Sequence, residues 1–229
     1  MTGPAPDAVA AHVLAAHERL AVLLRGLTDE DVRAPSALPG WSRAHVLSHV
    51  EQITNAMARQ AEHAVARSAI EVYDGGRPAR DAAIEHGASR RAAELADAVR
   101  TSAARLARVW APLSERDWAR PVAYRDGVLA DTATALWREV EIHTADLRLG
   151  EVRWSPELCH HLWEFLAPRV PDGVRLTLAP VGFAPWSTGD GTAVVVRGDA
   201  TDVTSWLAGR DPAGPLAVEG VLPDLLPWP

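Results

Sequence analysis

The chain contains no lysine and only one cysteine, Cys159, in 229 residues. Without lysine, the protein cannot use a lysine Schiff base, a lysine general base or the phosphate-binding lysine of a P-loop or kinase site. A single cysteine excludes an internal disulfide, a zinc cluster built only from cysteines and a two-cysteine redox centre. These absences remove several large enzyme classes before any motif is considered.

Long apolar runs are also missing, and none approaches the roughly 18 residues that indicate a membrane span. The formal net charge is −7, and the 23 arginines alternate with acidic residues instead of forming a block. Such a charge pattern argues against nucleic acid or a membrane as a partner. The first residues show no basic start followed by an apolar run, so no secretory signal is expected. Together with the single cysteine, these features predict a cytoplasmic protein.

Apolar periodicity predicts four long helices in the first two-thirds of the chain. Residues 7–26 carry apolar side chains at helical spacing. A second helix is expected to begin after Ser42 and to end at the glycine-rich stretch of residues 75–78. A third is predicted over residues 81–110 and a fourth over residues 131–149. Four long helices with short connections are typical of an antiparallel four-helix bundle.

The last third of the chain carries shorter patterns of both kinds. Helices are predicted over residues 156–167 and 201–207, and strands over residues 174–178, 193–196 and 216–218. The sequence therefore predicts an α+β protein, in which a helical bundle is followed by a small α+β domain. We place the boundary so that residues 1–152 form the bundle and residues 153–229 form the C-terminal domain.

Three polar side chains lie on or beside the apolar stripes of two predicted helices. Glu139 and His143 are four residues apart, so they share one side of the fourth helix, next to its apolar face. His49 lies beside the apolar face of the second helix. A buried imidazole or carboxylate is costly unless it is paired or binds a metal. Two bundle helices that direct such groups inward can assemble a His/Glu/His metal site.

This ligand set favours a catalytic metal over a structural one. Three nitrogen and oxygen ligands with an open fourth position suit Zn²⁺, and iron, nickel or manganese would accept similar ligands. Alternatively, His49 is a hydrogen-bonded core histidine and Glu139 with His143 is an ordinary helix pair. His45 lies one turn before His49, so it is a further candidate, either as a ligand or as a support for the ligands.

The same residues belong to three segments that resemble a known family. Residues 39–49, PGWSRAHVLSH, are similar to a helix signature of DinB-like bundles. Residues 137–147, WREVEIHTADL, resemble a segment of the mycothiol-dependent maleylpyruvate isomerases. Residues 205–210, SWLAGR, resemble the C-terminal motif of the same family. Because the three segments occur in the same order as in that family, the resemblance covers nearly the whole chain.

The resemblance implies roles for individual residues. His49, Glu139 and His143 would bind the metal, at the positions that the apolar stripes also indicate. An arginine of the C-terminal domain would act at the site, and Arg210 is the match. As a catalytic residue it would bind substrate carboxylates, for which the planar guanidinium is well suited. Trp41 is expected to shape the mouth of the substrate pocket.

Two other groups are expected outside the site. Helix geometry turns Glu141 about 160° away from the side of His143, which favours Glu139 as the ligand. Cys159 could be a nucleophile, but it lies far in sequence from the expected metal ligands. A structural thiol is therefore the preferred interpretation.

The resemblance further implies a metal-dependent isomerase that uses mycothiol, the low-molecular-weight thiol of actinobacteria. The thiolate would add reversibly to a maleylpyruvate-like cis-enoate and release its trans form. One alternative is a mycothiol S-transferase that acts on another electrophile in detoxification or natural-product biosynthesis. Another is a non-catalytic binding protein that keeps the bundle. The expected partners are a small thiol and a small electrophile, and the expected state is a monomer or a weak homodimer.

Overall fold

Nine α-helices and four strands follow one another along residues 5–229, the part of the chain that the computed structural model describes. The helices are α1 (Pro6–Leu23), α2 (Asp29–Arg33), α3 (Arg43–Val65), α4 (Gly76–Ala88), α5 (Ala92–Trp110), α6 (Glu115–Trp118), α7 (Leu129–Asp146), α8 (Pro156–Leu166) and α9 (Ala200–Leu207). The strands are β1 (Val174–Pro180), β2 (Trp186–Thr188), β3 (Thr192–Gly198) and β4 (Ala217–Glu219). The elements form two compact units, the first ending at Glu151 and the second beginning at Val152.

The four long helices of the first unit form a closed ring. Helix α1 packs against α5 and α7, and α3 packs against the same two helices from the opposite corner. Aliphatic side chains that are at most 1% exposed fill the ring, among them Leu20, Leu47, Met57, Leu106 and Leu136. Burial of such side chains contributes about 1.5–3 kcal/mol each, so the apolar stripes hold the bundle together. The predicted four-helix bundle is confirmed.

The predicted end of the second long helix is wrong by about ten residues. Helix α3 ends at Val65, and the glycine pair near residue 75 begins α4 instead. The intervening loop is held by side chains of α3 itself. Gln60 Nε2 lies 3.1 Å from the carbonyl oxygen of Ile70, and Arg59 pairs with Asp74. Arg59 Nη2 also donates to the carbonyl oxygen of Glu71 at 2.8 Å, so Gln60 and Arg59 satisfy loop carbonyl groups that a longer helix would have used.

The helix predicted over residues 81–110 is also wrong, because it is two helices with a break at residues 89–91. The guanidinium of Arg33 donates to the carbonyl groups of residues 88, 89 and 90. Asp29 accepts the backbone N–H of Ala92 at 2.7 Å. Both partners come from α2, more than 50 residues earlier in the chain. Tertiary contacts therefore override the helical propensity of an alanine-rich segment.

Helix α4 lies close against α3, which places its residues near His49. A Cβ atom on Gly87 would lie only 2.1 Å from Ser48 Oγ, so the contact requires glycine. Arg80, one of the α4 residues, reaches His49 as described below.

The second unit is a small sheet with two helices. The strand order is β2-β1-β3-β4, with β1 and β3 parallel and the outer pairs antiparallel. Leu176 and Leu178 of β1 pair with Val194 and Val196 of β3, and all four side chains are buried. Helix α9 packs against β1 and β3, and α8 packs against α9. The predicted α+β class is confirmed, and β2 is an additional strand, since three residues are too short to show a period.

The helices of residues 5–229 differ in length and apolar content. None of them is long and apolar enough to span a bilayer.

Candidate metal centre

Two helices bring the three predicted ligands together. His49 lies on α3, whereas Glu139 and His143 lie on α7, which packs directly against α3. Glu139 Oε2 is 2.9 Å from His49 Nε2 and 3.2 Å from His143 Nε2. The two imidazole rings meet edge to face, with their centroids 4.6 Å apart. One potential ligand atom from each residue lies within 4.8 Å of the other two, so all three can reach a common point.

The geometry and the donor set both fit a single metal ion. Metal–ligand bonds of about 2.0–2.2 Å in a tetrahedral site place neighbouring ligand atoms about 3.3 Å apart. The 2.9 and 3.2 Å separations from Glu139 therefore require only small side-chain adjustments. Two imidazole nitrogens and a carboxylate oxygen suit zinc and several other divalent metals. No second group of three His, Cys, Asp or Glu side chains with this spacing occurs in residues 5–229.

The carboxylate between the two imidazoles is ionised. Burial opposes this charge, but hydrogen bonds from His143 and His49 outweigh burial and hold the pKa of Glu139 well below its usual range. Its side chain is 37% exposed, whereas that of His49 is 4% exposed. Solvent therefore reaches the cluster from the Glu139 side, which leaves room for an exchangeable ligand.

A buried aspartate holds the second imidazole. Asp146 is fully buried, and its Oδ2 lies 2.9 Å from His143 Nδ1. Burial alone would lower the pKa of His143, but the hydrogen bonds to Asp146 and Glu139 raise it to about 9. Without a metal, His143 therefore carries a proton that it donates toward Glu139. A carboxylate that orients the far nitrogen of a histidine is the usual support of a metal-binding histidine.

An arginine occupies the far side of the other imidazole. Arg80 Nη2 lies 3.2 Å from His49 Nδ1. Because a guanidinium can only donate, His49 Nδ1 accepts, and the proton of this neutral ring lies on Nε2, facing Glu139. Burial is the largest effect on His49 and lowers its pKa, although the hydrogen bond that His49 donates to Glu139 acts in the opposite direction. The two histidines thus differ in charge although they share one carboxylate.

The sequence matches a family model described as the mycothiol maleylpyruvate isomerase N-terminal domain. The match extends over residues 13–148, which is more than half of the chain and includes all three predicted ligands. The chain belongs to the mycothiol maleylpyruvate isomerase N-terminal domain family. The resemblance that the three sequence segments indicate is thereby confirmed.

Two solved structures share the fold. A crystal structure of the mycothiol-dependent maleylpyruvate isomerase matches with a TM-score of 0.85 at 22% sequence identity, covering 100% of both chains. A crystal structure of a histidine-to-alanine mutant of that isomerase matches with a TM-score of 0.84, at the same identity and coverage. The likeness extends to the second unit, which the family model does not reach. No curated protein sequence matches the chain.

Trp41 and His45, which belong to the segment of residues 39–49, lie beside the cluster without joining it. The ring of Trp41 meets that of His49 at an angle of 61°, with the centroids 5.8 Å apart. His45 turns away, because its Nδ1 contacts the Ser42 hydroxyl at 2.7 Å and its Nε2 lies 3.3 Å from Glu85 Oε2. His45 therefore helps to begin helix α3, and it is not among the atoms that converge on a metal position.

Glu141 lies on the other side of α7 from the cluster. Its carboxylate pairs with Arg19 of α1, and burial raises its pKa, against the opposing charge of Arg19. This placement agrees with the helix geometry that favours Glu139 as the ligand.

The remaining predicted residues lie in the second unit. Arg210 donates from Nη1 to the carbonyl oxygen of Ala208 at 3.0 Å, and its guanidinium carbon lies 5.6 Å from the ring centroid of Trp228. Its catalytic and substrate-binding role stays a prediction. The thiol of Cys159 is buried in α8. Its burial supports the structural interpretation.

Sequence reasoning missed two arginine–tyrosine pairs near the cluster. The guanidinium carbon of Arg80 lies 6.0 Å from the ring centroid of Tyr73, and the two side chains hydrogen-bond. Arg138, the neighbour of Glu139 on α7, hydrogen-bonds with Tyr124. The chain contains only two tyrosines, which makes them easy to single out in the sequence. Both lie outside the long helices, so no apolar period indicates that they approach the cluster.

Asp146→Asn is expected to lower zinc affinity about 10- to 100-fold, the usual cost of losing a side chain that supports a metal-binding histidine. The amide keeps the shape of the side chain, but it removes the negative charge that makes His143 a strong ligand. Competition with a chromophoric chelator measures the affinity. Asp97→Asn, at an exposed position on α5, serves as the control. Equal affinities of the two variants would show that Asp146 does not support the ligand.

Proposed function

We propose that this protein is a metal-dependent and mycothiol-dependent isomerase that converts a maleylpyruvate-like cis-enoate to its trans form. One observation carries the proposal: a member of this family keeps a His/Glu/His cluster with metal-ligand spacing, supported by a buried aspartate. The solved structures that share the fold include a mycothiol-dependent maleylpyruvate isomerase, which supports an enzyme of the same kind.

His49, Glu139 and His143 would hold the metal, which we propose to be zinc. When bound, the metal supplies a Lewis acid that lowers the pKa of a thiol and stabilises the thiolate. Asp146 would keep His143 in the tautomer that directs Nε2 at the metal. Because His143 is protonated without the metal, metal binding would release a proton.

The nucleophile of the proposed reaction would be the thiol of mycothiol and not a side chain of the protein. Cys159 is buried in the second unit, and lysine is absent. Reversible addition of the mycothiol sulfur to one alkene carbon would convert the double bond into a single bond that rotates. Loss of the same thiolate then restores the double bond in the trans form, so nothing is oxidised or reduced and the thiol is regenerated.

The proposal also includes roles for Arg210 and Trp41, the two domains, the oligomeric state and the cellular compartment. Arg210 would bind substrate carboxylates through its planar guanidinium, and Trp41 would form part of the pocket wall beside His49. Residues 1–152 would serve as the metal-binding domain, and residues 153–229 would form the C-terminal α+β domain that carries Arg210. We propose a cytoplasmic monomer or weak homodimer, since reduced thiols persist in that compartment.

Two assays, one for isomerisation and one for thiol conjugation, test the proposed function. Zinc-loaded protein is mixed with mycothiol and maleylpyruvate, and isomerisation is followed by ultraviolet absorbance. We expect turnover that requires mycothiol and is lost after removal of zinc. Conjugation of a monochlorobimane-type electrophile without isomerisation would identify a mycothiol S-transferase instead. If neither reaction occurs with the metal bound, the protein is a binding member of the family.

A further inference from the structure

Arg80 contacts one of the predicted metal ligands, and the proposed reaction does not yet assign it a role. It reaches His49 Nδ1 from α4, on the side of the ring opposite Glu139. Its side chain is 25% exposed, so an incoming ligand can reach it. A rigid, fork-shaped guanidinium beside a metal position is suited to a carboxylate.

The contact between Arg80 and His49 is compatible with only one state of the site. Without a metal, His49 Nδ1 accepts a hydrogen bond from the guanidinium. When a metal binds at Nε2, the neutral imidazole carries its proton on Nδ1, which then cannot accept. The guanidinium would face another donor and must leave. Metal binding would therefore free the Arg80 Nη2 group for a different acceptor.

The other contacts of Arg80 leave it available and oriented. Its Nη1 lies 2.7 Å from Asp81 Oδ1, on a side chain that is 63% exposed. Such exposed ion pairs contribute about 0–1 kcal/mol, so a ligand carboxylate can compete with Asp81. Tyr73 hydrogen-bonds to Arg80 and packs beside it, which restricts where the guanidinium can point.

The charge around the site favours an anion once the metal is present. Apart from the exposed Asp81, and once metal binding has removed the proton of His143, two carboxylates, Glu139 and Asp146, are balanced by two guanidiniums, Arg80 and Arg138. A divalent cation adds two positive charges to this neutral set. A dianion restores neutrality, and its attraction is strong because the groups are partly removed from water.

We infer that Arg80 is a carboxylate-binding residue of the first unit, which the metal releases from His49 to hold one carboxylate of a dicarboxylate electrophile. The inference rests on the proposed function for the identity of the ligand as the electrophile. The binding itself is independent of turnover, since a dicarboxylate that does not react can occupy the same position.

Calorimetric binding of maleate to the zinc-loaded full chain tests the inference. Arg80→Met is expected to weaken maleate binding about 10- to 100-fold, the loss typical of a hydrogen bond between charged groups. Arg80→Lys should recover part of the affinity, because it restores the charge without the fork. Arg77→Met, at an exposed position on the same helix, should bind maleate as the wild type does.

A second measurement separates ligand binding from a merely structural role. Because the Arg80 contact stabilises the metal-free state of His49, Arg80→Met should raise zinc affinity or leave it unchanged, whereas loss of a structural support would lower it. Equal maleate binding by wild type and Arg80→Met, or loss of zinc from Arg80→Met, would overturn the inference. Arg80-dependent maleate binding without mycothiol-dependent turnover would refute the proposed function alone.

Discussion

His49→Ala is expected to lower the zinc affinity of the protein by about 100-fold or more. Loss of a residue that only supports a ligand costs about 10- to 100-fold, and His49 would contribute one of three ligand atoms itself. Its Nε2 lies 2.9 Å from Glu139 Oε2, so removal leaves the carboxylate with one imidazole partner. Chelator competition gives the affinity, and circular dichroism shows whether the helices remain.

His45→Ala is the matched control, because His45 lies one turn earlier on the same helix and also contacts a glutamate, Glu85. Its loss removes the contact with Ser42 at the start of α3 and is expected to lower the free energy of unfolding by about 1 kcal/mol. Zinc affinity should not change. If His49→Ala kept its zinc while His45→Ala lost zinc, the assigned ligand set would be contradicted.

Protein stripped of metal is expected to lose stability as the pH rises above neutrality. The folded state raises the pKa of His143 from 6.5 to about 9. The stabilisation is therefore complete below pH 6.5 and is lost as the pH rises through about 9. A shift of this size corresponds to about 3 kcal/mol in the free energy of unfolding. Urea denaturation in the presence of a chelator, at several pH values across this range, measures the loss.

The other buried histidines do not produce the same change. Burial lowers the pKa of His17 and of His49. These two groups therefore change the free energy of unfolding only at pH values below 6.5. His143→Asn removes the titrating ring and should abolish most of the loss between about pH 6.5 and pH 9. An unchanged pH dependence in this variant would mean that the Asp146–His143–Glu139 arrangement does not govern stability in the stripped protein.

The long helices of the bundle are predictable from sequence because their apolar residues recur every three to four positions over several turns. Helices α1 and α7 lie within a few residues of their predicted bounds. The break between α4 and α5 is stabilised by Arg33 and Asp29 of α2 in addition to local contacts, such as the Arg91 N–H that Glu94 accepts. Such contacts between distant segments cannot be seen in a local pattern.

The candidate site, like the fold, could be predicted from the sequence only in part. Glu139 and His143 share a helix at a spacing of four residues, and the apolar stripe of α3 indicates that His49 faces the same core. The sequence therefore contains enough information to propose the three residues together. Their separations, and the support of His143 by Asp146, required the structure.

Arg80 could not be predicted in its position. It lies 31 residues from His49, beyond a loop without periodicity, on a helix that the sequence pattern merges with α5. The close packing of α4 against α3, which is tightest to Ser48 at Gly87, brings the two side chains together. With 23 arginines in the chain, composition alone cannot indicate which of them lies near the cluster.

Anomalous diffraction from crystals of the zinc-loaded chain, recorded at the zinc absorption edge, tests the central claim most directly. We predict one dominant peak, about 2.0–2.2 Å from Nε2 of His49, Nε2 of His143 and a carboxylate oxygen of Glu139. A dominant peak at another set of side chains, or none at this position in protein with bound zinc, would contradict the assignment of these three residues as the metal site.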